Sequence, residues 1–219
     1  MPIEEVFNRL GNLKVFPVIT IEKVEQAVPL ADALIGGGLP VIEITFRTSA
    51  AADVIRKLRQ ERSHLLVGAG TILNVENLKK AKDCGAAFGV APGFNRKVTE
   101  EAMRLNFPFA PGVMTPTDIE AALDLGIKVL KFFPAEAMGG IKTLLQIAAP
   151  YVHTGARFLG MGGINLSNFQ DYLKNDVVLA IGGSWIAKSD RIGAGDWEFI
   201  RQNCVEINRI LAEFKSKRN

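Results

Sequence analysis

Short apolar runs rich in β-branched residues alternate with longer amphipathic segments along almost the whole chain. Runs of this length are typical of buried strands, and the segments between them have the periodicity of helices. The pattern therefore predicts strand followed by helix, repeated. Eight runs can be counted: VFPVITI (15–21), PVIEITFR (40–47), HLLVGAGT (64–71), AAFGVAPG (86–93), FPFAPGVM (107–114), KVLKFFPA (128–135), ARFLGMGG (156–163) and VVLAIGGSW (177–185).

Several of the intervening segments carry helix start and stop signals. One of them begins at Thr115, with Pro116 directly after it, and ends at Gly126. A hydroxyl residue followed by proline opens helices, and glycine commonly closes them. Helices are likewise predicted for VEQAVPLADALIGGG, SAAADVIRKLRQE and NVENLKKAKDCG, for the N-terminus MPIEEVFNRL and for residues around 196–215.

Eight strand–helix repeats without a linker predict one α/β domain over residues 1–219, a (β/α)8 TIM barrel with an N-terminal and a C-terminal helix. An open doubly wound sheet is the alternative fold. The count of eight and the lack of a GxGxxG turn favour the barrel. In such a barrel the active site lies at the carboxyl ends of the strands.

The second run places charged residues on the inner face of a strand. Alternation in VIEITFR puts Ile42, Ile44 and Phe46 on one face, with Glu43, Thr45 and Arg47 on the other. Since the apolar face must meet the helices, the polar face points into the barrel. Glu43 and Arg47 are either a structural ion pair or part of a site. The position of Arg47 at the end of the strand favours a site.

The sixth run contains a lysine among apolar residues. Alternation groups Val129, Lys131 and Phe133 on the inner face. Desolvation disfavours an ammonium ion, so the pKa of Lys131 should be lowered, with Arg47 adding to the effect and Glu43 opposing it. A neutral amine can attack a carbonyl carbon. The alternative is a lysine that simply pairs with Glu43.

Two double-glycine turns, Gly162-Gly163 and Gly182-Gly183, are predicted after the last two strands. Glycine lets the backbone approach a ligand closely, and the loops after strands seven and eight are the common phosphate site of this fold. Ser184 can add a hydroxyl there. Thr71 ends the third run with a hydroxyl at the same level. Pro92 and Gly93 end the fourth run, and we expect them to shape the site more than they act.

Composition excludes several other classes of protein. Hydrophobic residues make up 48% of the chain, charged residues 22%, and the formal net charge is +3. The one dense basic run, KSKRN, lies at the C-terminus without aromatic residues beside it, so we expect a solvated tail and no nucleic-acid partner. No apolar run approaches ~18 residues and no signal peptide is evident, which predicts a cytoplasmic protein without membrane contact.

The side chains that usually hold metals are few and scattered. Cys84 and Cys204 have no CxxC spacing, and the two histidines do not stand beside other ligands. We therefore expect free thiols, no metal and no cofactor.

Taken together, VIEITFR, VGAGT, APGF, PGVMTPTD, KFFPAEAMGG and IGGSW resemble the bacterial 2-keto-3-deoxy-6-phosphogluconate / 4-hydroxy-2-oxoglutarate aldolase family. The resemblance runs in order from about residue 10 to residue 200. It implies a class I aldolase that uses a lysine Schiff base, takes a phosphorylated 2-keto-3-deoxy sugar acid and pyruvate, and forms a homotrimer.

The resemblance also implies roles for individual residues. Lys131 corresponds to the Schiff-base lysine, and Glu43 to the acid/base that moves protons through a bound water. Arg47 and Thr71 correspond to the residues that bind the pyruvate carboxylate, and Phe133 to the one that packs on the pyruvyl group. The residues implied in substrate binding are Arg47, Thr71, Pro92, Phe133, Met161, Gly162, Gly163, Gly182, Gly183 and Ser184.

Met161 departs from the family pattern. Members of the phosphogluconate type resemble CPTGGI at this point, and this chain has LGMGGI. Methionine has no hydroxyl to bind a substrate alcohol, which leaves open a 2-keto-3-deoxy-6-phosphogalactonate, 4-hydroxy-2-oxoglutarate or other 2-keto acid substrate. Two further alternatives are a phosphosugar isomerase or synthase on the same barrel, and a binding protein with a relict pocket.

Overall fold

The computed structural model describes residues 2–216, so the last three residues of the KSKRN run lie outside the described residues. Within the described part of the chain, nine short parallel strands form one sheet in the order β5-β4-β3-β2-β1-β9-β8-β7-β6. Every predicted run contributes at least one strand. The strands are β1 Val15–Ile19, β2 Val41–Thr45, β3 Leu66–Gly70, β4 Phe88–Val90, β5 Phe109–Ala110, β6 Gly112–Val113, β7 Val129–Phe132, β8 Arg157–Met161 and β9 Val178–Gly183.

The two ends of this sheet belong to a single predicted run. Pro111 separates β5 from β6, and because proline has no N–H to donate, it interrupts the ladder. The Ala91 N–H, just after β4, donates to the Ala110 carbonyl of β5 at 3.3 Å. The Lys131 N–H of β7 donates to the Pro111 carbonyl at 2.8 Å. The fifth run thereby joins β4 to β7 and nearly closes the barrel, which confirms the predicted (β/α)8 fold.

Helices follow the strands in the expected order, and α1 precedes them. In α6 the Thr115 hydroxyl accepts from the Asp118 N–H while the Asp118 carboxylate accepts from the Thr115 N–H, a capping box with Pro116 at the first turn. The predicted start of this helix is confirmed. The helices are α1 Ile3–Leu13, α2 Ala27–Gly36, α3 Ala51–Glu61, α4 Val75–Asp83, α5 Arg96–Arg104, α6 Pro116–Asp124, α7 Gly140–Ala148, α8 Phe169–Leu173, α9 Ser189–Ala194 and α10 Trp197–Ser216.

The apolar core has two layers. The larger cluster lies between strands and helices and includes Ile42, Ile44, Leu130 and Phe132. These are the residues that the alternation assigns to the outer face, so that prediction is confirmed.

A smaller cluster fills the inside of the barrel at its amino-terminal end. Its members include Val6 and Leu10 of α1, which lies across that end, and the rings of Phe16 and Phe88, which meet edge to face at 6.3 Å between centroids. Apolar packing therefore occupies one end of the barrel, and the polar inward residues are left at the carboxyl end.

The cysteines are free, as predicted, and both are buried, and burial raises the pKa of Cys204 to about 12. Within residues 2–216 no helix is long and apolar enough to span a membrane, and no cluster of three or more His, Cys, Asp or Glu side chains forms a potential metal site.

Candidate active site

A cavity of about 390 Å³ opens at the carboxyl ends of the strands. All but one of the residues singled out from the sequence line it, and they arrive from β2, β3, β7, β8 and β9. Pro92 is the exception. It follows β4 and its backbone packs where a side chain on Gly112 would be, and it is not among the residues that line the cavity.

Lys131 reaches the cavity from the middle of β7, between Gly112 on β6 and Leu159 on β8. Only 6% of the residue is exposed, and its Nζ lies 5.1 Å from the centroid of the Phe133 ring. Burial lowers the pKa of Lys131, the Glu43 charge raises it, and the Arg47 charge lowers it further. The physical cause predicted from the sequence, desolvation, is the dominant one.

Glu43 is fully buried on the neighbouring side of the cavity. Neither of its carboxylate oxygens has a hydrogen-bond partner among the described residues. Burial raises the pKa of Glu43, and the charges of Lys131 and Arg47 oppose that rise. Buried polar groups without partners are uncommon away from functional sites. This geometry disfavours both structural alternatives, the Lys131–Glu43 pair and the Glu43–Arg47 pair.

Gly70, the last residue of β3, makes room for the Glu43 carboxyl group. A Cβ atom at Gly70 would lie 1.8 Å from Oε1 of Glu43 and 2.7 Å from its Cδ. Any side chain at this position would therefore overlap the carboxyl group. The absence of a side chain at Gly70 fixes where Glu43 can sit.

Arg47 and Thr71 meet at the rim of the cavity. The Nε–H of Arg47 donates to Oγ1 of Thr71 at 3.2 Å. Thr71 has a φ of 59°, and a β-branched residue in this left-handed region is a true outlier that concentrates at functional sites. The contact leaves the terminal nitrogens of Arg47 available for an anion.

The glycines after β8 have left-handed backbones, with φ of 97° at Gly162 and 82° at Gly163. The Gly162 carbonyl accepts from the Glu136 N–H at 2.9 Å, and a Cβ on Gly163 would lie 2.6 Å from that of Glu136. Gly183 ends β9 against the Trp185 indole, whose Nε1 would lie 2.3 Å from an added Cβ. The turn predicted at Gly182-Gly183 is wrong, because both glycines belong to β9 and the Gly183 backbone is extended, with φ of -160°. Both glycine pairs, with Ser184, border the cavity.

Six lining residues were not among the predicted site residues. Thr45 shares the inner face with Glu43, so the alternation carried a signal for it. Thr20 directly follows β1, and Thr45 is the last residue of β2. Ser189 is the first residue of α9, and no feature of the sequence marks Ser189 as a site residue. The six are Val18, Thr20, Thr45, Ile164, Trp185 and Ser189.

Comparison with known proteins bears on this cavity. The model of the family described as "Aldolase: KDPG and KHG aldolase" matches residues 6–203. The chain is 47% identical over 192 residues to the 2-dehydro-3-deoxy-phosphogluconate aldolase of Treponema pallidum, covering 88% of this chain and 90% of that protein. It is 43% identical over 186 residues to the KHG/KDPG aldolase of Escherichia coli K12, covering 85% and 86%.

A solved structure is also similar. It is the KDPG aldolase of Legionella pneumophila with pyruvate captured at low pH as a covalent carbinolamine intermediate. The TM-score is 0.88 at 33% identity, and the match covers 94% of this chain and 98% of that one.

Proposed function

The chain belongs to the KDPG and KHG aldolase family, and we propose that it cleaves 2-keto-3-deoxy-6-phosphogluconate through a Schiff base on Lys131. The family resemblance read from the motifs is confirmed, and with it the assignment to the pyruvate-dependent lyases. The products are pyruvate and glyceraldehyde 3-phosphate. We propose 4-hydroxy-2-oxoglutarate as a second substrate, giving pyruvate and glyoxylate.

The observation that carries this proposal is a desolvated amine beside an unpartnered carboxyl group in one cavity. Because burial lowers the pKa of Lys131, more of the amine is neutral and can attack the C2 carbonyl carbon. Nitrogen supplies the electron pair of the new N–C bond, and the carbonyl oxygen takes up a proton. Loss of water from this carbinolamine gives an iminium ion.

Glu43 is the proposed proton carrier. Its raised pKa brings the protonated form closer to neutral pH, where a general acid is most useful. It protonates the departing oxygen and, as a carboxylate, then accepts the proton of the C4 hydroxyl, directly or through one water. The electrons of the C3–C4 bond flow into the iminium, the aldehyde leaves, and an enamine remains. Protonation at C3 and hydrolysis release pyruvate.

The two ends of the cavity suit the two ends of the substrate. Arg47, held by Thr71, offers a cation for the pyruvyl carboxylate, and the Phe133 ring lies beside Lys131. At the other end, the Gly162-Gly163 turn, the glycine pair that ends β9 and Ser184 offer backbone and hydroxyl groups for the phosphate.

Met161 also lines the cavity, and its Cε would lie 3.1 Å from a Cβ on Gly182. Its thioether cannot donate a hydrogen bond, so 2-keto-3-deoxy-6-phosphogalactonate stays the alternative substrate. The ratio of kcat/KM for the two epimers decides between them.

Borohydride trapping with pyruvate tests the proposal. We expect one reduced adduct on Lys131, located by peptide mapping and lost in Lys131→Ala. Lys128→Ala is the matched control because Lys128 precedes the same strand but is exposed. No adduct, or one on a surface lysine, would overturn the Schiff-base assignment and favour an isomerase or a binding protein.

We also propose a homotrimer and a cytoplasmic location. The family resemblance supports the first, and the phosphorylated substrate, which is retained inside cells by its charge, supports the second. Size-exclusion chromatography with light scattering measures the oligomeric state. Fractionation of cells that express the protein measures its location.

A further inference from the structure

Two threonine hydroxyls that no step of the mechanism uses form a pair on the cavity wall. Oγ1 of Thr20 and Oγ1 of Thr45 are 2.9 Å apart. Thr45 is buried, with 1% of the residue exposed, and Thr20 is half-buried. Both line the same cavity as Lys131 and Glu43.

The strand order fixes where Thr20 lies. β1 is between β9 and β2 in the sheet, with Pro17 beside Gly183 and Val18 beside Glu43. Thr20, just beyond the end of β1, is therefore placed between the glycine pair that ends β9 and the Glu43 side of the cavity. In the proposed function these are the phosphate and keto-acid ends of the substrate.

The pair has hydrogen-bonding capacity to spare. A hydroxyl has one donor and two acceptor sites, so one proton satisfies the bond between Thr20 and Thr45 and the other proton needs an acceptor. No other hydrogen bond joins either hydroxyl to the described residues. Polar groups withdrawn from bulk water require partners, and the cavity contents are where this proton can find one.

We propose that Thr20, oriented by Thr45, determines specificity by binding the C5 hydroxyl of the phosphorylated sugar acid. This inference rests on the proposed function. The C4 hydroxyl is the reacting group and faces Glu43, and C6 carries the phosphate, so the C5 hydroxyl is the polar group that remains between them. Met161 supplies no donor or acceptor of comparable strength.

The proposal makes a selective prediction, because 4-hydroxy-2-oxoglutarate has a carboxylate carbon at C5 and no hydroxyl there. Thr20→Val keeps the shape of the side chain and removes the hydroxyl. We expect kcat/KM for 2-keto-3-deoxy-6-phosphogluconate to fall about 2- to 10-fold, the usual effect of one neutral hydrogen bond. Cleavage of 4-hydroxy-2-oxoglutarate and trapping of pyruvate on Lys131 should stay unchanged.

Further variants separate a binding role from a structural one. Thr20→Ser should restore the preference, and Thr45→Val should weaken it. Thr48→Val is the matched control, because the Thr48 hydroxyl donates to the Ile21 carbonyl at 2.7 Å and Thr48 does not line the cavity. Thr20→Ala repeats the test if Thr20→Val does not fold.

The outcomes distinguish the two levels of the argument. Equal losses on both substrates, or no loss on either, would overturn the role of Thr20 while the Lys131 adduct still forms. If the wild-type protein forms no adduct with pyruvate, the proposed function fails and the role of Thr20 fails with it.

Discussion

Replacing Gly70 by alanine should displace the Glu43 carboxyl group and impair its function while leaving residue 43 itself unchanged. The new Cβ would lie 1.8 Å from Oε1, 2.7 Å from Cδ and 3.0 Å from Cγ of Glu43, whereas ordinary contacts begin at 3.4 Å. The carboxyl group must therefore retreat by more than ~1 Å. A displacement of this size costs on the order of 100-fold in rate, which corresponds to about 2.7 kcal/mol of transition-state stabilisation.

The assay is steady-state release of pyruvate from 2-keto-3-deoxy-6-phosphogluconate. We expect kcat to fall roughly 100-fold in Gly70→Ala, while borohydride still traps pyruvate on Lys131, although more slowly. Gly93→Ala is the control, since Gly93 follows the adjacent strand and an added Cβ there meets nothing within 4 Å. Thermal unfolding of both variants checks that the barrel is intact.

A double variant sharpens the test. Glu43→Ala removes the carboxyl group and the Cγ that the new Cβ would meet, so the alanine at position 70 no longer overlaps with residue 43. Gly70→Ala should then cost little when added to Glu43→Ala, a strong departure from additivity that contacting residues show. A folded Gly70→Ala variant with near wild-type kcat, or additive losses in the double variant, would refute the reasoning.

Three further changes have signs fixed by the structure. Lys131→Met should abolish cleavage yet raise the free energy of unfolding at pH 7. The folded pKa of Lys131 is lowered, so the unfolded chain binds more protons and wild-type stability rises with pH up to ~10. Urea titrations across pH measure this, and a less stable variant would contradict it. Glu43→Gln should also be more stable than wild type at pH 7, because the folded pKa of Glu43 is raised. The stability that the protonated form of Glu43 contributes is present below pH ~4 and is lost as pH rises through the folded pKa. The same titrations should show the gap closing at acid pH, and a constant gap would argue against burial as the cause. Thr115→Ala removes the α6 cap and should cost about 1 kcal/mol of stability with kcat unchanged. An equal loss of kcat would mean that α6 also positions the site.

The local pattern of the chain predicted the faces of the strands correctly, because alternating side chains on a strand can be assigned to its two faces in only two ways. VIEITFR separated Ile42 and Ile44 from Glu43, and KVLKFFPA turned Lys131 inward. Both assignments need only neighbours along the chain and the rule that the apolar face meets helices.

Contacts between residues on different strands could not be predicted from the alternation of apolar and polar residues. Gly70 matters because the register between β2 and β3 sets it against Thr45, one pleat from Glu43. The pairing of Thr20 with Thr45 likewise requires two strands to be placed side by side. Pro92 was grouped with the substrate-binding residues by resemblance, and the bend of the chain after β4 takes it away from the cavity lining. Its role in substrate binding stays a prediction.

The pairing of β1 with β9 has a consequence for the newborn chain. Val15 pairs with Ile181 and Pro17 with Gly183, so β1 can complete its pairing only after β9 has been synthesised. Parallel pairing of strands that are far apart in the sequence is slow. During synthesis the edge of β1 stays unpaired until β9 is made. Lys131 leaves the ribosome before β9, so the barrel that excludes water from its amine is not yet closed. In water a lysine keeps an ordinary pKa and is a poor nucleophile. We therefore expect closure of the barrel to lower the pKa of Lys131, the proposed Schiff-base residue, and a ribosome-bound chain without β9 to have an ordinary, unreactive lysine at this position.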